Sequence, residues 1–356
     1  MITLLRESRG LSGAKLAEAA DVSQSTLSKM ENGLVPLDPD RMQRIARVLE
    51  YPLGAFEWTD PIYGFGHTAF YHRKQQALPQ TLLRKIQANV NLTRIRLERL
   101  MRSAVIGANY EMPVVEASTL GGPINVARVV RAMWQIPMGP IENMATTVES
   151  AGVIVLRLDF GSPKISAISM DAVGTYPPVI ILNEAHPADR ERFTLAHELG
   201  HLVMHSSVEL PDEAEAEADA FAAEFLMPAS EIKTQLRAIT LERAAQLKLK
   251  WRVSMGALIR RARDLGVIDE RRYRSLNVSI SQKGWRKVEP VELSRDEPSV
   301  LAALIRLHLE EHGYSKEDMG QLLQLEPVEL TARLHAAAPD VRVVSPGQAG
   351  HLRAVL

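Results

Sequence analysis

The sequence predicts a mostly helical α+β chain, with an all-α unit of short helices first, then a unit holding a small sheet, then a helical C-terminal region. Three observations lead there. Residues 1–58 are a succession of short amphipathic segments punctuated by Ser, Asp, Gly and Pro. Three short β-branched runs cluster between residues 153 and 182. Helical periodicity then resumes and continues to about residue 334.

In order, Ser12 opens a helix with Ala14, Leu16, Ala17 and Ala20 on one face, and Asp21-Val22-Ser23 interrupts it. Ser23 can cap the next, over 24–32, which Gly33 stops. A third amphipathic helix spans 41–50 before Pro52. From 78 to 105 the apolar positions predict a longer basic helix or helix pair, and the Gly/Pro-rich stretch 107–123 reads as loop. Helices are expected over 126–134 and 142–151, then strands over 153–156, 165–170 and 179–182. Pro187 opens a helix reaching His205, and 212–226 forms another. The expected boundaries are 1–60, 61–122 (a basic helical linker), 123–270, 271–338 and a disordered tail over 339–356.

The 356-residue chain has a net charge of −1, 46% apolar and 24% charged residues, and no cysteine. Disulfides and thiolate metal sites are therefore excluded, and any metal must be held by His, Asp or Glu. The absence of cysteine fits a reducing cytoplasm, which is the expected location. The first residues do not read as a signal peptide, and no apolar run is long enough for a membrane span, so no membrane partner is expected. The charge is unevenly spread. Arg73, Lys74, Arg84, Lys85, Arg94, Arg96, Arg99 and Arg102 face Glu98 alone between 61 and 110, a stretch suited to phosphates.

The chemistry concentrates in His197-Glu198-Leu199-Gly200-His201, an HExxH pattern. Four residues apart on a helix, the two histidines lie about 40° apart in azimuth, so both imidazoles reach one ion. Glu198 is turned about 100° from His197 and can serve as general base towards a water activated by zinc. A catalytic zinc takes a third protein ligand. Ser207 stands where one metalloprotease pattern has a third histidine, and Met204 where that pattern has glycine. The alternatives are Glu213, Glu215 and Glu217. Glu215 is favoured because Asp219, one turn later, can fix the tautomer of a ligand histidine. His205, one turn further on, reads as an exposed histidine, with a supporting or substrate-side role at the site as the alternative. The strand over 179–182 is a candidate edge for an extended peptide, and Tyr176 a candidate oxyanion partner. A His/His/Glu set also accepts manganese or iron.

In the first unit, two helices joined by a three-residue turn have the spacing of a helix-turn-helix, with Leu16, Ala17, Val22, Leu27 and Ile45 as its core. Gln24, Ser25, Thr26, Ser28 and Lys29 then occupy the exposed start and outer face of a recognition helix and are the candidate DNA contacts. This unit holds fewer Lys and Arg than Asp and Glu, so the phosphate attraction is expected from the basic stretch that follows.

With these residues in view, the chain resembles XRE-type regulators that carry an ImmA/IrrE metallopeptidase domain. Ser23-Gln24-Ser25-Thr26-Leu27-Ser28-Lys29-Met30-Glu31-Asn32-Gly33 is similar to the recognition-helix signature of Cro/C1-type units. Arg192-Phe193-Thr194-Leu195-Ala196-His197-Glu198-Leu199-Gly200-His201 resembles one peptidase motif, and Glu215 to Pro228 the other. The resemblance runs to about residue 335 and implies a zincin-like fold of the gluzincin kind. It implies His197, His201 and Glu215 as zinc ligands, Glu198 as catalytic acid/base and Asp219 as support to a ligand histidine. It further implies a DNA-binding regulator, bound to its operator as a homodimer, whose zinc endopeptidase cleaves a regulatory protein, a repressor or the chain itself. The alternative is a regulator whose peptidase-like domain only senses a ligand or binds a partner. Gly13 replaces the phosphate-contacting glutamine common in such units, and Asp219 replaces the usual asparagine. The stretch 241–263, also helix-turn-helix-like, is expected to pack within the peptidase domain.

Overall fold

The computed structural model describes residues 1–36, 38–63, 78–205, 212–337 and 352–354. Four helices build the first unit: α1 (Ile2–Ser8), α2 (Gly13–Ala19), α3 (Gln24–Glu31) and α4 (Pro39–Leu49). Ser12, Ser23 and Asp38 each accept a backbone N–H at the start of the helix that follows, contributing about 1 kcal/mol apiece. Leu5, Leu16, Leu27, Ile45 and Leu49 are wholly buried between the four.

The expected basic helix is a single one, α5 (Gln80–Met101). It is no spacer. Ala88, Leu92 and Ile95 complete the core of the first unit, while Ile86, Val90 and Leu97 enter a second core beneath the sheet. Two stripes at helical spacing thus serve two cores at once. The basic side chains follow the packing inward. Arg94 is buried over the Tyr63 ring and paired with Glu98, Arg96 donates to Leu323 O, and Arg99 pairs with Asp60. Those three are therefore spent on internal contacts rather than held for phosphates, which corrects the expectation drawn from charge alone. Arg84, Lys85 and Arg102 stay exposed, and Arg73 and Lys74 lie outside the described residues.

After β1 (Ala104–Ile106), α6 (Pro123–Met133) and α7 (Met144–Glu149) come the strands β2 (Ile154–Leu158), β3 (Ala167–Met170) and β4 (Val179–Asn183). They lie in the order β2-β4-β3, parallel between β2 and β4 (Ile154↔Val179) and antiparallel between β3 and β4 (Ala167↔Leu182). Both faces are covered. Val155, Ala167, Ile180 and Leu182 point to the central helices, and Ile154, Ile168, Val179 and Ile181 to the α5 side. Because β4 is paired on both sides, it offers no edge to a peptide, contrary to expectation; the outer strands are β2 and β3.

Helices α8 (Ala188–Met204) and α9 (Ala214–Leu226) cross at Gly200. A Cβ at that position would stand 3.1 Å from Phe221 Cδ1 and 3.3 Å from Ala218 Cα, so glycine lets the helices approach this closely without displacing either neighbour. Next come α10 (Leu241–Trp251) and α11 (Met255–Asp264), which share the core of α8 through Leu247, Trp251 and Leu258. The remaining helices are α12 (Glu270–Gln282), α13 (Val300–Arg306), α14 (Lys316–Leu323) and α15 (Pro327–Ala337). Arg9 joins the last of these to the first unit through Glu329 at 3.0 Å. In the stretch expected to be a disordered tail, β5 (Leu352–Ala354) pairs antiparallel with β1, and the rest of 339–356 lies outside the described residues. Among the described residues no helix is long and apolar enough to cross a membrane.

Candidate metal centre

Helix α8 turns Leu195, Leu199, Leu202 and Val203 into the core, which brings His197 and His201 to the face that meets α9. There the two Nε2 atoms lie 3.1 Å apart. Glu215, in the first turn of α9, places Oε2 at 3.5 Å from His197 Nε2 and Oε1 at 3.4 Å from His201 Nε2. These three residues are the one such cluster found among the described residues. Glu217 and Glu213, the competing positions, are not in it.

The nitrogen tautomers follow from the outer contacts. His197 Nδ1 donates to Asp219 Oδ1 at 3.0 Å, and Arg260 donates to the other Asp219 oxygen at 3.1 Å. His201 Nδ1 donates to His205 Nδ1 at 3.0 Å, and His205 Nε2 donates to Glu217 Oε2 at 2.9 Å. Both Nε2 atoms are then left with lone pairs that point at each other and at a carboxylate. Such an arrangement repels itself unless a cation sits between. Ligand atoms about 2.0–2.1 Å from one tetrahedral ion are separated by about 3.3 Å, so the observed triangle has the size of such a set. The residues fit a divalent metal.

Charge points the same way. Burial pushes the His197 imidazolium down, yet Asp219, Glu215 and Glu198 together hold its pKa up to about 10. Burial raises Glu215 and Asp219, and the histidines beside them outweigh this and hold both below the carboxylate range. Groups that favour a proton this strongly favour a metal cation by the same field. His205 is shifted the other way, lowered by burial and kept neutral, as an acceptor from His201 must be.

Glu198 is 1% exposed, and its Oε2 has no hydrogen-bond partner. His205 is buried rather than exposed, which corrects the sequence expectation. Its step of four from His201 repeats the step from His197, a signal that the helical pattern already contained. The roles of Glu217 and Arg260 carried no such signal. Tyr176 belongs to the core on the α5 side of the sheet, with its ring facing the Arg94 guanidinium, so it is not brought to the histidine cluster.

On α3, Gln24, Ser25, Ser28 and Lys29 are exposed. Thr26 is half-buried, and its hydroxyl lies 2.8 Å from Ser23 Oγ at the helix start.

A capped helix pair precedes a small mixed sheet with a histidine/glutamate cluster between two crossing helices, an arrangement of a helix-turn-helix unit followed by a domain with a candidate metal centre. Residues 2–56 match the helix-turn-helix family model, and residues 148–263 match that of the IrrE N-terminal-like domain. The first match is of the XRE-type helix-turn-helix kind and the second of the IrrE/ImmA-like peptidase kind. No curated protein matches the chain.

Proposed function

We propose that the chain is a cytoplasmic DNA-binding regulator whose zinc endopeptidase centre cuts a regulatory protein, either a repressor or the chain itself. The convergence of His197, His201 and Glu215 beside the unpartnered carboxyl of Glu198 carries this reading. His197, His201 and Glu215 would hold the zinc, with Asp219 and the His205–Glu217 pair fixing the two imidazoles. Zinc in this set supplies Lewis acidity towards the carbonyl under attack. Glu198 takes a proton from the attacking water and returns it to the leaving amine. Gln24, Ser25, Thr26, Ser28 and Lys29 meet the operator, and a homodimer would place two such helices on two half-sites.

In the test, zinc-loaded protein is incubated with candidate repressors and with itself. Wild type should cleave one of them, and Glu198→Gln should retain zinc and lose cleavage. Equal cleavage by both proteins would refute the mechanism. One observation favours the second reading, a peptidase-like domain that binds or senses without cutting: Glu198 is 1% exposed, whereas a general base must meet water. That reading expects normal promoter control in cells carrying Glu198→Gln.

A further inference from the structure

A cavity of about 940 Å³ opens on the far side of α9 from the core. Its walls are the outer face of α9, the start of α8, helices α11 and α12, one side of α6 and the irregular stretch 285–295. That stretch is tied at both ends. Glu289 accepts from Lys248 at 2.7 Å and from Met255 N at 3.0 Å, and Arg295 pairs with Glu191 at 2.8 Å. The tethers hold the wall away from α9, so the space stays open instead of collapsing. Its volume suits a drug-sized molecule.

The lining states what kind. Phe193, Ala220, Ala223, Tyr273, Ile280 and Trp285 give it an apolar interior. Most wall carboxylates are ion-paired: Asp189 and Glu289 share Lys248, Glu224 lies between Arg261 and Arg128, Asp219 pairs with Arg260, and Asp264 with Arg263. Among the described residues, Arg190, Arg286 and Lys287 have no carboxylate within salt-bridge distance; the side chains of Arg190 and Arg286 donate only to the hydroxyls of Ser166 and Ser281, and Glu292 is the remaining carboxylate of the lining. An apolar interior under a rim of surplus positive charge selects an apolar body with an anionic group.

The cavity does not lead to the face of the cluster where the histidines meet. Asp219 lines it, and Asp219 touches His197 at Nδ1, the nitrogen turned away from His201. We propose that this cavity binds a small amphipathic anion, an aromatic or aliphatic body carrying one carboxylate, sulfonate or phosphate, separately from any peptide cut at the metal centre. Arg260 stands at once in the cavity wall and on Asp219, so an anion drawing on Arg260 competes with the support of His197. The binding site itself stands whether or not the centre turns over a peptide bond.

The test uses the full chain and two fluorescent probes, 8-anilinonaphthalene-1-sulfonate and its neutral counterpart N-phenyl-1-naphthylamine. The sulfonate should bind one per chain, about tenfold or more tighter than the neutral probe. Its energy transfer from tryptophan should drop in Trp285→Phe. Ala220→Phe, which fills the interior, should weaken both probes about tenfold or more. The exposed pair Arg190→Gln and Lys287→Gln, which leaves the core untouched, should weaken the sulfonate and not the neutral probe. Equal affinity for the two probes in wild type, or sulfonate binding unchanged in Arg190→Gln/Lys287→Gln, would overturn the proposal.

Discussion

His201 and His205 face each other Nδ1 to Nδ1 across 3.0 Å, one turn apart on the same helix and both buried. The second ring is thereby a hydrogen-bond acceptor for the first, and Glu217 on the neighbouring helix holds it in that state. Removing the acceptor frees the His201 ring to rotate. His205→Phe should reduce zinc affinity roughly 10–100-fold, the usual cost of losing a partner of a ligand histidine. His205→Asn, which can still accept, should recover part of it. Chelator competition against a chromogenic zinc indicator measures both.

Asp219 is the corresponding partner of His197, with Arg260 on its other oxygen. Asp219→Asn keeps an acceptor oxygen in place and should weaken zinc by less than about tenfold, while Asp219→Ala should fall in the roughly 10–100-fold range. Equal losses in the two variants would mean that charge, not orientation, is what Asp219 contributes.

Gly200→Ala tests the helix crossing. The added methyl would press on Phe221 and on the backbone of Ala218, and α9 must back away, taking Glu215 with it. A stability loss of about 1–3 kcal/mol is expected from overpacking, together with weaker zinc binding. Urea unfolding and the same chelator titration would show whether the two losses travel together.

Glu149 provides a pH signature remote from the histidines. Burial raises its pKa to about 7, although its carboxyl accepts from Ser299 N, Ser299 Oγ and Val300 N. The folded value lies above the ordinary one, so the folded state holds the proton more tightly than the unfolded chain. Its stabilising contribution is full below about pH 4.5 and is lost as pH rises through about 7. Relative to wild type, Glu149→Gln should flatten the stability profile across that window by up to an order of 3 kcal/mol. Denaturant midpoints at intervals between pH 5 and 8 would detect it.

Much of this was legible in the residues. Ser12, Ser23 and the β-branched runs mark elements whose observed ends fall within about two residues of expectation, because caps and periodicity are local signals. His197, His201 and Glu215 were legible for the same reason, with Asp219 one turn beyond. What local patterns cannot show is which distant surface a side chain will meet. Arg94 and Arg96 read as free charge and became internal, since α5 is enclosed from several sides. The central place of β4 depends on strand order, and the grip of Arg260 on Asp219 joins helices far apart in sequence. Both are products of tertiary assembly.

Helix α5 lends Ala88, Leu92 and Ile95 to the core of the DNA reader and Ile86, Val90 and Leu97 to the layer under the sheet. The first unit and the layer under the sheet therefore both draw on one helix, while the central core around α8 and α9 takes none of its residues. If the chain were severed next to this helix, one fragment would keep it and the other would be left with an open greasy trough. A cut there would part the first unit from a side of its own core or uncover the layer under the sheet, so the two pieces would not equal two intact units.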